Sequence, residues 1–230
     1  MTKFKVPERP CLVYAIFSEE SKLADVKTFT ENFKPDEKDM VIEADDGVCA
    51  YIKFFDSFNA ESEQSASDFA RLIADSLADE YGIKVKIGVG STVSGFSECA
   101  ISFSRAVSAV KMGEVFAENS SVFTYKEYIF IKIFEELPRY RLQEFLDILL
   151  EPEAKEIFDD KEMIETAEAF FNNNLNASAT ATKLFMHRNT LSYRLDKIDK
   201  ATGLDIRKFQ DAVTFKLITM LYRLMNHKSE

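Results

Sequence analysis

The chain has 230 residues, 46% of them hydrophobic and 30% charged, with a net charge of −10. That length is enough for one large or two modest domains with real cores, and the composition is ordinary for a soluble protein. No apolar run approaches the roughly 20 residues that span a bilayer and no signal-peptide pattern opens the chain, so no membrane partner and a cytoplasmic location are expected.

Taken in order, CLVYAIF (Cys11 to Phe17) is an apolar run of strand formers, followed by a helical stretch through Phe33. Asp39 to Ala44 and Val48 to Phe55 read as two strands around Asp45-Asp46-Gly47, a hairpin signal because Asp and Gly accept the positive φ of a tight turn. A long helix follows with Phe69, Leu72, Ile73 and Leu77 at helical period, closed by Gly82. Lys84 to Val89 is a further strand. Phe96 to Phe116 is a helix with Ala100, Phe103, Val107 and Val110 on one stripe, and Val122 to Tyr125 is a last short strand. The resulting β-α-β-β-α-β order, with an added helix and strand, predicts an α+β fold whose first domain is a ferredoxin-like sheet covered by helices. Gly88-Val89-Gly90 completes no GxGxxG and no Walker lysine follows, so a strand end needing close backbone approach is expected rather than a phosphate loop. Cys11, Cys49 and Cys99 are odd in number and show no CxxC spacing. They predict neither a disulfide framework nor a zinc site, and read as small buried apolar residues.

Tyr125 to Leu150 is helical with a break at Pro138. Ile129, Phe130, Ile133, Phe134 and Leu137 make one apolar stripe, and Leu142, Phe145, Leu146, Leu149 and Leu150 another. Both need cover, from the flanking domains or from a second copy of the chain. Glu151-Pro152-Glu153 is the expected boundary. The organisation predicted is a domain over 1–125, a helical connector over 126–157 and an all-α domain over 158–230. In the last, Asp160 can cap a helix carrying Met163, Ile164, Ala167, Phe170 and Phe171, ended by Asn172-Asn173-Asn174. A final helix presents Val213, Leu217, Met220, Leu221 and Leu224.

Between these lie two short helices. The first, Ala177 to Phe185, carries Ala177, Ala181, Leu184 and Phe185 on one face. The second, Arg188 to Ala201, buries Leu191, Leu195 and Ile198 and is stopped by Gly203. Opposite that stripe fall Asn189, Ser192, Tyr193 and Lys200, flanked by Arg188, Thr190 and Arg194. Such side chains can reach base edges and phosphates. Asp196, also outward, can pair with Lys200 at i+4, and the turn between the helices lacks a glycine, with Phe185 near that place. Charge divides by position: residues 1–160 hold 18 basic and 31 acidic residues, residues 161–230 hold 11 and 8. The basic excess lies in the tail, as in an acidic body with a nucleic-acid-reading end.

The run from Thr180 to Ile198, TATKLFMHRNTLSYRLDKI, closely resembles the C-terminal helix-turn-helix of the PucR/CdaR family of bacterial transcriptional regulators. The signature residues stand here as Leu184, His187, Arg188, Asn189, Thr190, Leu191, Tyr193, Arg194 and Leu195. The resemblance implies double-stranded DNA as partner. On that reading Arg188, Asn189, Ser192 and Tyr193 are assigned to bases, and Lys183, Thr190, Arg194 and Lys197 to phosphates. Arg194 could instead brace the helix internally, and His187 is a helix-entry residue or a phosphate contact. The docking geometry of such motifs implies a homodimer or higher homo-oligomer.

Tyr81 to Lys111 is similar to the GGDEF-like domain that precedes this motif in the same family. A cyclase using GTP and Mg²⁺ is the rival implied by that likeness. The hairpin Glu43-Ala44-Asp45-Asp46-Gly47 lacks the paired glycines, and Ile16-Phe17-Ser18-Glu19 lacks the aspartates that would hold the metal. With only His187 and His227 as histidines, no catalytic cluster or metal site is expected, and neither an enzyme nor a cofactor. The alternative is a degenerate domain that binds a nucleotide, or a protein-interaction module. The chain begins almost at its first strand, so either it is a fragment or effector sensing is done elsewhere. The effector is unknown.

Overall fold

Strand β1 (Cys11–Phe17) is the centre of a five-stranded sheet in the order β2-β3-β1-β4-β5, with β2 at Met40–Ala44, β3 at Val48–Phe54, β4 at Lys86–Val89 and β5 at Val122–Thr124. β1 pairs antiparallel with β3 (Tyr14 opposite Tyr51) and with β4 (Ile16 opposite Ile87), β2 with β3 antiparallel, and β4 with β5 parallel. The computed structural model describes residues 9–44, 47–58, 60–116 and 120–226. It divides into two units, Met1–Phe130 and Ile131–Glu230. The predicted turn residues Asp45 and Asp46, and His227, lie outside the described residues. Gly47 has the positive φ, +73°, that the hairpin signal anticipates.

β1 is apolar throughout because both faces of the sheet are covered. Side chains alternate across a strand. Leu12, Tyr14 and Ile16 therefore meet Val26 and Phe29 of α1 (Leu23–Phe33) and Ala70, Ile73 and Leu77 of α2 (Ala60–Tyr81). On the other face Cys11 and Val13 meet Cys99, and Ala15 meets Ala106, both from α3 (Cys99–Phe116). All three cysteines are free and buried; burial pushes the Cys11 thiol up to about 12 and that of Cys49 up to about 11.

The expected stripe on α3 is displaced. Ala100 is exposed, and the buried residues are Cys99, Ser102, Ala106, Ala109, Val110, Met112 and Gly113. The cause is proximity. A Cβ on Gly88 would stand 1.9 Å from the Ala106 carbonyl oxygen, and one on Gly90 2.3 Å from that of Ser102, so only small residues fit under the helix. Gly88-Val89-Gly90 is thus a helix-to-strand contact, as close approach requires. Leu72 of α2, expected in the core, is exposed.

The second unit is helical: α5 (Arg139–Leu149), α6 (Lys155–Asp159), α7 (Lys161–Asn172), α8 (Ala177–Lys183), α9 (Arg188–Thr202) and α10 (Phe209–Asn226), with α4 (Ile129–Glu135) running across the division of the chain. Its core joins Leu142, Leu146 and Leu150 to Ile157, Phe158, Ile164, Phe170, Leu191, Leu195, Ile198, Phe215 and Ile218. Phe158 stacks on Phe215 with ring centroids 4.9 Å apart. The stretch expected as a connector therefore contributes to this core. Glu151-Pro152-Glu153 opens no linker, since a short 3-10 turn at Pro152–Ala154 leads straight into α6. Phe145 and Leu149, read as part of the α5 stripe, are exposed.

Candidate nucleic-acid interface

Side-chain caps start α7, α8 and α9. Asp160 accepts from the backbone N–H groups of Glu162 (3.1 Å) and Met163 (3.3 Å) and starts α7. Asn174 and Leu175 turn the chain with φ of +53° and +59°, and Asn176 Oδ1 caps α8 by accepting from Ala179 N at 3.0 Å. α8 ends two residues before its predicted limit, at Lys183, because Phe185 adopts φ +51°. That is the left-handed turn in which a glycine is the unstrained choice. Phe185, expected on the apolar face of α8, is 98% exposed; the left-handed turn ends the helical periodicity before it. Met186 instead packs against the core.

His187 is the N-cap of α9, its Nδ1 accepting from Asn189 N at 3.2 Å. Leu191, Leu195 and Ile198 are sealed in the core, and Gly203 closes the helix at φ +69°. The opposite face is open. Lys183, His187, Arg188, Asn189, Thr190, Ser192, Tyr193 and Lys197 are all exposed, Tyr193 to 69%. Among the described residues Lys183, at the end of α8, and Arg188, at the start of α9, have no ion pair.

Two of the cations assigned to phosphates have partners inside the protein. The Arg194 side chain, 17% exposed, donates from its guanidinium to the carboxylate of Glu162 and to Thr166 Oγ1 at 2.9 Å, both on α7. Lys197 Nζ lies 3.2 Å from Asp160 Oδ2 with its side chain still half open to solvent. Burial acts to raise the Asp160 carboxyl, but the Lys197 ammonium and the two cap N–H groups prevail and hold it below the usual carboxylate range. Asp196 does not pair with Lys200. Arg207 captures it at 2.7 Å and also binds Asp205 at 2.6 Å, so the far end of α9 is tied to the segment that follows it. Sequence spacing gives no pairing of Arg207 with Asp196, and the local signal for the Arg194 brace is that Glu162 and Thr166, four apart, share a face of α7.

The arrangement presents a rod with a dry back and a polar front. An α-helix about 10–12 Å across fits a major groove about 12 Å wide, and the forked side chains of Arg188 and Asn189 stand in its first turn. In the first unit, a cavity of about 560 Å³ lies at the end of β1, lined by Ser18, Glu19, Asp75, Lys84, Lys86, Ser120 and Ser121 among others. Among the described residues no group of three or more His, Cys, Asp or Glu could hold a metal ion. No helix there is long and apolar enough to cross a membrane.

Residues 163–224 match the PucR C-terminal helix-turn-helix domain, a segment that contains α8 and α9 entire. The uncharacterized protein YxkF of Bacillus subtilis is 38% identical over 89 residues, 38% of this chain and 29% of that protein. The proline-responsive transcriptional activator PutR of the same organism is 25% identical over 174 residues, 73% of this chain and 42% of PutR. The carbohydrate diacid regulator of Escherichia coli is 30% identical over 135 residues, 57% of this chain and 34% of the regulator. This chain spans less than half the length of each of these relatives. Its second unit carries a helix-turn-helix similar to those of PucR-type transcriptional regulators.

Proposed function

We propose that the chain is the DNA-reading part of a sequence-specific transcriptional regulator of the PucR/CdaR type, entering the major groove with α9. The observation that carries this reading is the division of α9: Arg188, Asn189, Ser192 and Tyr193 exposed, Leu191, Leu195 and Ile198 sealed. Arg188 and Asn189 make bidentate contacts to purine edges, and Ser192 and Tyr193 contact bases one turn on. Lys183 and Thr190 take phosphates. Lys197 shares its charge between Asp160 and the backbone, and Arg194 braces the helix in place of the phosphate contact first assigned to it. Two copies read half-sites about 34 Å apart.

The first unit is, on this reading, a ferredoxin-like, GGDEF-like body without catalysis. The strand order β2-β3-β1-β4 and the absence of aspartate from Phe17-Ser18-Glu19 support it. The cavity at the end of β1, with its lysines and serines, favours a second reading in which this body binds a nucleotide or another small anion. Calorimetry with GTP and Mg²⁺ tests it: heat without turnover supports ligand binding, and neither heat nor turnover removes it.

Selection of duplexes from a random pool at fixed salt tests the main reading. Asn189→Ala is expected to relax the choice at one base pair, worth roughly 1–3 kcal/mol there. Lys183→Ala is expected to weaken all duplexes alike and lower the salt slope by about 0.9. Equal losses on every sequence from both substitutions would refute the assignment.

A further inference from the structure

Phe185 is held in a conformation that disfavours it and shown to solvent that disfavours it. Its φ of +51° belongs to the region where bulky L-residues are rare. Its ring is 98% exposed, more than any other large hydrophobic side chain described. The turn does not need the ring. The backbone bonds Phe185 N to Thr182 O (3.1 Å) and Met186 N to Ala181 O (3.0 Å) form with any residue able to adopt this φ, and the apolar anchor of the turn is Met186. Glycine would meet every demand of folding at this position without strain.

The ring does have a distinctive address. It stands two residues before the cap of α9, between Lys183 on one side and His187, Arg188 and Asn189 on the other, all exposed. In a helix-turn-helix, the N-terminal end of the second helix approaches the base edges while the first helix crosses the backbone. A side chain on the turn between them faces the wall of the groove.

We propose that Phe185 is a DNA-contacting residue, its ring packing on an apolar carbon surface of the duplex, either a thymine C5-methyl group or the edge of a deoxyribose. This rests on the reading of α9 as the groove-entering helix, and it adds an apolar determinant to a site otherwise made of hydrogen bonds and charge. A thymine methyl is the one apolar group on base edges in the major groove and is met by side chains such as phenylalanine.

The test uses the full chain and the duplexes that it selects from a random pool at fixed salt, with fluorescence anisotropy as readout. Phe185→Gly and Phe185→Ala are expected to lose roughly tenfold or more in affinity, Phe185→Leu to retain most of it, and the salt slope to stay unchanged because no charge is removed. Phe185→Gly is expected to melt no lower than the parent, since it relieves the turn. Replacing each thymine by deoxyuridine separates the two surfaces. If the methyl is the target, the parent loses affinity at one position and Phe185→Gly is indifferent there; if the sugar is, the parent is indifferent everywhere while Phe185→Gly still binds weakly. Phe185→Gly binding as tightly as the parent, or more tightly, overturns the contact. A parent that selects no sequence sinks this contact together with the DNA reading. Normal selectivity in Asn189→Ala alongside a loss in Phe185→Gly would refute only the assignment of Asn189.

Discussion

Arg194, in the middle of α9, donates to both Glu162 and Thr166 of α7, so the proposed reading helix is latched to α7 between its buried residues Leu191 and Leu195. Arg194→Ala is expected to destabilise the protein by about 1–3 kcal/mol, chiefly through loss of a largely buried charge-assisted hydrogen bond to Thr166, since Glu162 itself is well solvated. Urea unfolding followed through this unit reads the effect. The salt slope of DNA binding should not change; a fall of about 0.9 would instead put Arg194 on a phosphate.

His187 supplies the acceptor that α9 needs at its first turn. His187→Ala removes it and should cost about 0.5–2 kcal/mol in thermal unfolding, whereas His187→Asn, a side chain able to cap, should restore most of the loss. Equal destabilisation by Ala and Asn would mean that the imidazole matters for something other than the cap.

Gly88 and Gly82 separate crowding from backbone freedom. At Gly88 a methyl group would run into the Ala106 carbonyl of α3, while at Gly82, with φ +65°, nothing lies within 4 Å. Gly88→Ala is expected to destabilise the first unit by roughly 3 kcal/mol or more through overpacking against backbone. Gly82→Ala is expected to cost about 1–2 kcal/mol through strain alone. Comparable midpoints for the two variants in a denaturant titration would contradict the close contact between α3 and β4.

Asp39 is buried, accepting from Tyr51 Oη at 2.5 Å and Phe54 N at 2.9 Å, which ties the start of β2 to the end of β3. Burial raises its carboxyl above the ordinary 3.8, outweighing the opposing hydrogen bonds and the nearby Lys53. The folded state therefore binds this proton more tightly than the unfolded state. The contribution of Asp39 to stability falls as pH rises from 3.8 through the raised folded value. Asp39→Asn should remove that part of the pH dependence in melts of the first unit, and should be milder than Asp39→Ala, which strands two polar groups at about 1–3 kcal/mol each. A wild-type stability that climbed through this window while the variant stayed flat would reverse the sign and refute the account.

Elements whose signal is local are legible in the amino-acid order alone. The hairpin at Gly47, the break at Pro138, the cap at Asp160, the αL stop at Gly203 and the sealed stripe Leu191/Leu195/Ile198 each depend on φ preferences or on period, and both act within a few residues. The exposed face of α9 followed from the same period, because a helix that hides one stripe must show the other.

The partners those elements choose come from the packed fold. Arg194 and Asp196 look alike in the sequence, two charged residues beside the exposed face of α9, yet one is claimed by α7 and the other by Arg207. The small-residue stripe of α3 depends on Gly88 in β4 and Gly90 just beyond it, both distant in sequence, and α5 and α6 lie in the helical core rather than outside it. Pairings of this kind are set by long-range packing, for which neither periodicity nor propensity carries information.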